Sequence, residues 1–221
     1  MKSNLFLQFI TGCLLLFATV CRAESLTTDE ALDFARVQGQ ELLMSFQDPD
    51  LKERFDKLDK LFLDYVDVDY ISRFVAGRHW RNMDEGQKKK YKELFLRYGL
   101  AYYKTLPLDY AKSVKYQIKG AEADGDFVNV ITNVEVSLGQ DPQVITLSFR
   151  LHKVGGVVKA VDVKIAESSM LLAYRSKFQE MIAQSDNELE WFLEDFEDLV
   201  QSLEKNLGEN KSQAEKALEF E

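Results

Sequence analysis

Thiols, histidines and prolines are all scarce in this chain, and each scarcity closes off a class of function. The two cysteines, Cys13 and Cys21, both fall within the first 23 residues. From Glu24 onward there is no thiol, so that stretch has neither a disulfide nor a cysteine-ligated metal site. The two histidines, His79 and His152, have no His or carboxylate at metal-ligand spacing and read as solvated or loop-packing side chains. No Gly-x-Ser-x-Gly, phosphate-binding loop or glycine-rich nucleotide turn is present. Positive charge is short as well: 28 Lys and Arg against 37 Asp and Glu leave a net charge of −9. So acidic a chain has no nucleic-acid partner, because phosphate backbones need positive charge. It is equally unsuited to lying on an anionic membrane surface. A lipid could be handled only by enclosing its tails.

Long apolar runs are missing too, with one partial exception. Leu5 to Val20 is mostly apolar but is interrupted by Gln8, Thr11 and Gly12, and it falls short of the ~20 residues of a membrane span. Lys2 precedes it and Cys21-Arg22-Ala23 follows, so residues 1–23 read as a secretory signal peptide cleaved after Ala23. Losing Lys2 and Arg22, and no acid, makes the remainder more acidic by two charges. What is left is enough for one domain, placed at 24–205, followed by a polar tail, 206–221, that is frayed or an isolated helical turn.

Within that domain the hydrophobic period changes once. Thr27 with Glu30 forms a capping-box pattern, and Leu32, Ala35, Leu42, Leu43 and Phe46 follow at helical spacing until Pro49. Leu51, Phe55, Leu58, Phe62 and Tyr65 make a second stripe. A short helix ends at Gly77, and Asn82 with Glu85 suggests the start of a long one carrying Tyr91, Leu94, Phe95, Tyr98 and Tyr102 up to Pro107. From about Val114 the period becomes two. Four runs alternate: Val114–Ile118, Val128–Val136, Ile145–Leu151 and Val161–Ile165. Asp124-Gly125, Gly139–Pro142 and Gly155-Gly156 separate them as turns. Ser169–Gln184 and Asn187–Asn206 then return to helical spacing. The fold class is therefore α+β: a four-stranded antiparallel meander with about six to seven helices against its apolar face.

One carboxylate stands inside an apolar strand. On a hollow α+β cone, Asp162 could be a general base. Alternation turns it away from Val161 and Val163, toward a salt bridge or a helix N-terminus on the outer face. The acidic run "DNELEWFLEDFED" and the basic run "GQKKKYK" read as solvated helix faces. The excess of aromatic and aliphatic stripes is either ordinary filled core, as in a periplasmic interaction module, or the lining of a cavity.

Two stretches carry a resemblance. Gly77, Trp80 and Phe95 in "VAGRHWRNMDEGQKKKYKELF" resemble the Gly-x-x-Trp step and aromatic helix of MlaC-like proteins, also called toluene-tolerance or ABC-transporter auxiliary components. Asp162, Val163, Ser169, Tyr174, Arg175 and Phe178 in "VDVKIAESSMLLAYRSKF" resemble that family's second signature. Glu167 stands where the family usually has Gly, and Val158 where a Trp often precedes the Asp-Val pair. The resemblance implies a sheet-and-helix fold with a cavity for a phospholipid as cargo, no cofactor and no catalysis. It implies a periplasmic protein of a Gram-negative bacterium. Its partners would be an inner-membrane lipid ABC transporter complex and an outer-membrane lipoprotein–porin complex. The cavity lining it implies is Phe74, Trp80, Phe95, Tyr98 and Tyr102 from the first helices. Val128, Val130, Val134, Ile145, Leu147, Phe149, Val161 and Val163 come from the strands, and Leu171, Tyr174 and Phe178 from the helix after them. Val161 and Val163 would lie below that last helix as it closes over.

Overall fold

The capping box forms as the sequence predicts. Thr27 N–H donates to the Glu30 carboxylate at 3.0 Å, and Glu30 N–H donates back to Thr27 Oγ1 at 3.3 Å. Helix α1 (Thr28–Phe46) follows. The structure is a computed structural model and describes residues 25–46, 48–104, 115–137 and 142–218. The expected signal peptide, Val114, Pro107 and the turn at 138–141 lie outside the described residues.

Asp50 caps α2 (Leu51–Tyr65), accepting from Glu53 N–H, and Asp67 caps α3 (Val68–Ala76), accepting from Tyr70 N–H. Gly77 stops α3 with φ 58°, ψ −125°, backbone that only glycine adopts readily. A 3₁₀ turn (Gly77–Arg81) leads to α4 (Glu85–Lys104). The N-terminal signal of α4 is not Asn82 with Glu85. Asp84 and Gln87 exchange the capping hydrogen bonds, 2.8 and 3.1 Å, two residues later. Asn82 instead closes the 3₁₀ turn, and Met83 turns into the core.

Strands β1 (Lys115–Asp124), β2 (Phe127–Ser137), β3 (Pro142–Val154) and β4 (Val157–Ile165) form the expected antiparallel meander. A two-residue β5 (Ser168–Ser169) adds a fifth strand on the β4 edge, while β1 is the edge strand at the other side among the described residues. Two irregularities interrupt the ladders. The β1–β2 register shifts between Ile118 and Gly120, leaving Lys119 over. On β4, Asp162 faces Arg150 and Ala160 faces Leu151, so Val161 is the extra residue of a bulge. Val161 is buried but stands outside the alternation that aligns it with Val163 in the sequence. Helices α5 (Met170–Gln184) and α6 (Leu189–Leu218) complete the chain. α6 runs on as helix through 206–218, where the sequence places a tail. "GENKSQAEKAL" is rich in residues that lose little entropy in a helix.

The helices do not all share the sheet's apolar face. α1 lies across β1 and β2 on that face. There Ala31, Ala35 and Leu26 bury Val128, Val130 and Leu151. Lys153, on the same face, reaches Glu30 at 2.7 Å. α2 returns antiparallel to α1, with Phe34 and Tyr65 edge to face at 5.3 Å. α3 sits on the opposite face, where Tyr70 meets Phe127 and His152. α3 to α6 then close around a core of their own. Val75, Tyr91, Leu94, Phe95, Tyr98, Phe178, Ile182, Phe192, Phe196 and Val200 fill it, without a strand residue among them.

Candidate binding site

Burial along the apolar face of the sheet is graded. At the end nearest the β1–β2 and β3–β4 turns, Val128, Val130 and Leu151 are at most 1% exposed under α1. Moving along the same face, Phe149 pairs with Val130 and Val163, Leu147 with Thr132 and Ile165, and Ile145 with Val134. Phe149, Val163, Leu147, Ile145 and Val134 are only half-buried, and Ile165 is 45% exposed. Tyr116 and Ile118, opposite Val134 and Thr132 on β1, extend the surface and are half-buried too. Tyr116 donates to the Ala35 carbonyl at 3.3 Å. Gly39 is what lets α1 approach this ring, because a Cβ there would meet it at 2.9 Å. Gln38, one turn past Ala35, carries a buried side-chain oxygen with no hydrogen-bond partner.

The sixteen residues expected to line one cavity divide into two sets of eight. Val128, Val130, Val134, Ile145, Leu147, Phe149, Val161 and Val163 belong to the sheet. Phe74, Trp80, Phe95, Tyr98, Tyr102, Leu171, Tyr174 and Phe178 belong to the helical core or pack against it. The expected closure of Leu171, Tyr174 and Phe178 over Val161 and Val163 is corrected for Phe178, which has no exposed surface. Its ring lies 5.0–6.3 Å from Tyr91, Phe95, Tyr98, Phe192 and Phe196. Trp80 packs on Tyr91, with Lys88 and Lys92 over its indole at 5.7 and 5.4 Å. Of the helical set, Phe74, Trp80, Tyr102 and Tyr174 stay half-buried, and the two tyrosines lie 5.8 Å apart edge to face. The sheet residues Tyr116, Ile118 and Ile165 complete the surface but were not among the expected lining. Their signal was the same alternation that marked their neighbours.

Motif residues hold the frame together. Asp162 accepts from Leu171 N–H at 2.9 Å and from Ser169 Oγ at 2.6 Å, and Ser169 Oγ accepts from Leu172 N–H at 3.1 Å. The carboxylate is thus fixed to the N-terminus of α5, where the helix dipole favours it. It is engaged on the face away from Phe149 and Val163, as alternation implies, and offers no base to a ligand there. Arg175 donates to the Phe74 carbonyl at 3.0 Å with its guanidinium 4.8 Å above the Phe74 ring. A Cβ at Gly77 would meet that guanidinium at 2.9 Å.

Burial shifts several of the titratable groups. Burial pushes the Tyr91 phenol far above its ordinary value. Burial, then Tyr98 and Tyr102, raises that of Tyr174. Burial first, and Asp59 second, raises that of Tyr103. Burial and then Arg78 lower the imidazole of His79, favouring its neutral form. His152 is not solvated. It pairs with Asp67 at 2.9 Å between Phe127 and Tyr70 and ties β3 to the cap of α3. Among the described residues no three His, Cys, Asp or Glu are grouped to hold a metal ion. A second concavity of about 370 Å³ opens between α2, α4 and α6. Salt bridges rim it, Arg97–Glu204 at 2.7 Å and Lys104–Asp59 at 2.7 Å, which suits water rather than hydrocarbon.

Comparison with known proteins gives two findings. The family model described as MlaC protein matches residues 39–205. A phospholipid-binding protein from Ralstonia solanacearum, solved in complex with a phospholipid, has the same fold. Its TM-score is 0.63 at 17% identity, over 77% of this chain and 97% of that one. No curated protein matches the sequence.

Proposed function

Since the chain belongs to the MlaC family, we propose that it is a periplasmic phospholipid carrier that lays acyl tails along the open half of its apolar sheet face. One observation carries this reading. The face is continuous in chemistry but not in burial, from Val128 at 1% exposure to Ile165 at 45%. Buried cores are packed without large voids, so an apolar surface left half-covered calls for an apolar ligand. The related Ralstonia protein holds a phospholipid, which supports the same ligand class here.

Acyl burial yields ~0.8 kcal/mol per CH₂, so two chains of roughly 30 such groups amount to about 24 kcal/mol relative to water. A bilayer gives nearly the same. Transfer is therefore close to balanced, and the protein removes the barrier of moving tails through water. Direction comes from the partners, an inner-membrane lipid ABC transporter complex and an outer-membrane lipoprotein–porin complex. The chain reaches them after residues 1–23 are removed during export.

The test is native mass spectrometry of protein purified without detergent, wild type beside Val163→Asp. A phospholipid adduct is expected on the wild type and not on the variant, with both giving the same circular dichroism. Wild-type protein that never carries lipid, even after incubation with vesicles, would overturn the reading.

A further inference from the structure

Among the described residues two buried side-chain oxygens have no hydrogen-bond partner, Asn129 Oδ1 and Gln38 Oε1. Asn129 alternates with Val128 and Val130, so it belongs to the other face of β2. Gln38 stands over the apolar face. Ala31, Ala35, Gln38 and Leu42 form one stripe of α1, and Ala31 and Ala35 pack on Val128, Val130 and Leu151. Tyr116 ties the same stretch of helix to the open half. Its hydroxyl donates to the Ala35 carbonyl, its ring lies against Gly39, and it pairs with Val134 on β2. Gln38 sits between those two contacts. With about 100° between successive helical residues, it lies between the direction of Ala35, toward the sheet, and that of Phe34, which meets Tyr65 of α2. Its amide therefore stands where the sealed half of the face ends. On β2 the same line falls between Thr132, which has no exposed surface, and Val134, which is half-buried.

Other polar side chains in this region are satisfied. Thr132 Oγ1 donates to the Leu147 carbonyl at 3.3 Å, and Ser45 Oγ, further along α1, to the Glu41 carbonyl at 2.8 Å. The Gln38 oxygen is not, and an unpaired buried acceptor lowers stability. A leucine at this point of the stripe would bury a similar area without that cost. A desolvated polar group is, however, a means of rejecting a wrong ligand. A tail that stays on the open half leaves the amide as it is. A longer tail must run on beneath α1, where it strips the hydration that the half-buried residue keeps.

We propose that Gln38 is a stop at the inner end of the tail site and limits the length of the acyl chains that the protein carries. The stop rests on the carrier reading and adds to it a choice among lipids that share one head group.

The experiment incubates lipid-free protein with vesicles holding equal amounts of dimyristoleoyl, dioleoyl and dierucoyl phosphatidylglycerol and weighs the bound species. Wild type, Gln38→Leu, Gln38→Ala and Val37→Ala are compared, the last at a neighbouring position that is 58% exposed. A bilayer also holds longer tails more firmly, so the change between proteins is what is read. The ratio of dimyristoleoyl to dierucoyl lipid bound should fall about tenfold from wild type to either Gln38 variant, and Val37→Ala should match wild type. The urea midpoint of lipid-free Gln38→Leu should rise, because the unpaired acceptor is gone. A glutamine with a purely structural role would give a lower midpoint instead. An unchanged ratio in both Gln38 variants, or a lower midpoint for Gln38→Leu, overturns the stop and leaves the carrier intact. A change in Gln38→Ala but not in Gln38→Leu would assign the limit to bulk and overturn the amide as its cause. Uptake of no phospholipid by any of the proteins overturns both the stop and the carrier.

Discussion

Phe178 and Phe149 each stand in the middle of an apolar face, one on α5 and one on β3, yet their surroundings differ. Phe178 has no exposed surface and meets five other rings within 6.3 Å. Phe149 is half-buried, with Val130 and Val163 beside it on the sheet. The helical core excludes everything but itself. The sheet core is closed only where α1 lies on it and opens toward Val134, Ile145 and Ile165. The carrier proposed above needs both: a rigid body that holds its shape when empty, and an apolar surface that is not already satisfied.

The largest expected effect tests the closed half. Phe178→Ala should lower unfolding stability by about 3–5 kcal/mol, by the same amount in lipid-free and lipid-loaded protein when measured by urea denaturation. Recovery of that loss on loading would place lipid in the helical core and remove the distinction. Next comes the joint between the halves. Asp162→Ala strips the N-terminus of α5 of its carboxylate and should cost about 2 kcal/mol, while Asp162→Asn, able to accept from one donor, costs less. Equal stability of all three proteins would show that the contact carries no weight. On the open half, Phe149→Ala should destabilise by only about 1 kcal/mol yet clearly reduce the lipid retained after gel filtration. A large stability loss with full retention would reverse the assignment.

The smallest effect depends on pH. The Lys153 ammonium first, and Thr27 second, hold the Glu30 carboxyl down to about 2 from its ordinary 4.5. The folded-state value is the lower one, so the contribution is complete above pH 4.5. It is lost as pH falls toward about 2, because the unfolded chain takes up the proton first. Glu30→Gln should flatten the decline in Tm across that window by lowering Tm slightly at pH 7, where the wild-type pair is intact, and leave Tm near pH 2 nearly unchanged. An unaltered acid limb would show that α1 is not tethered to the sheet through this pair.

Local signals in the sequence carried far. The Thr27–Glu30 box, the stop at Gly77, the four alternating strands and the outward turn of Asp162 all follow from chemistry within a few residues. Where two local signals overlap, as Asn82/Glu85 and Asp84/Gln87 do in "NMDEGQ", spacing cannot choose. The burial of Met83 decides, and that is a tertiary fact. The Val161 bulge leaves no compositional trace because a valine fits in or out of the ladder. Least legible was the division into two cores. A helical stripe says that a face is buried and not what it is buried against, so Phe178 and Phe149 looked like opposite walls of one space. The partner of His152 was hidden for the same reason, since Asp67 is 85 residues away along the chain.

The sheet edge at β1 has a consequence for how crowded a solution this protein can tolerate. The outer edge of a ten-residue strand, with no further strand beside it among the described residues, is a template on which other chains can polymerise. Here the residue left over at the register shift is Lys119, with Lys115 and Gln117 exposed beside it. The kink breaks the straight row of hydrogen-bonding groups that a growing fibril would need, and a lysine sits at the break. Closing the ladder by deleting Lys119 would turn a self-limiting edge into an adhesive one.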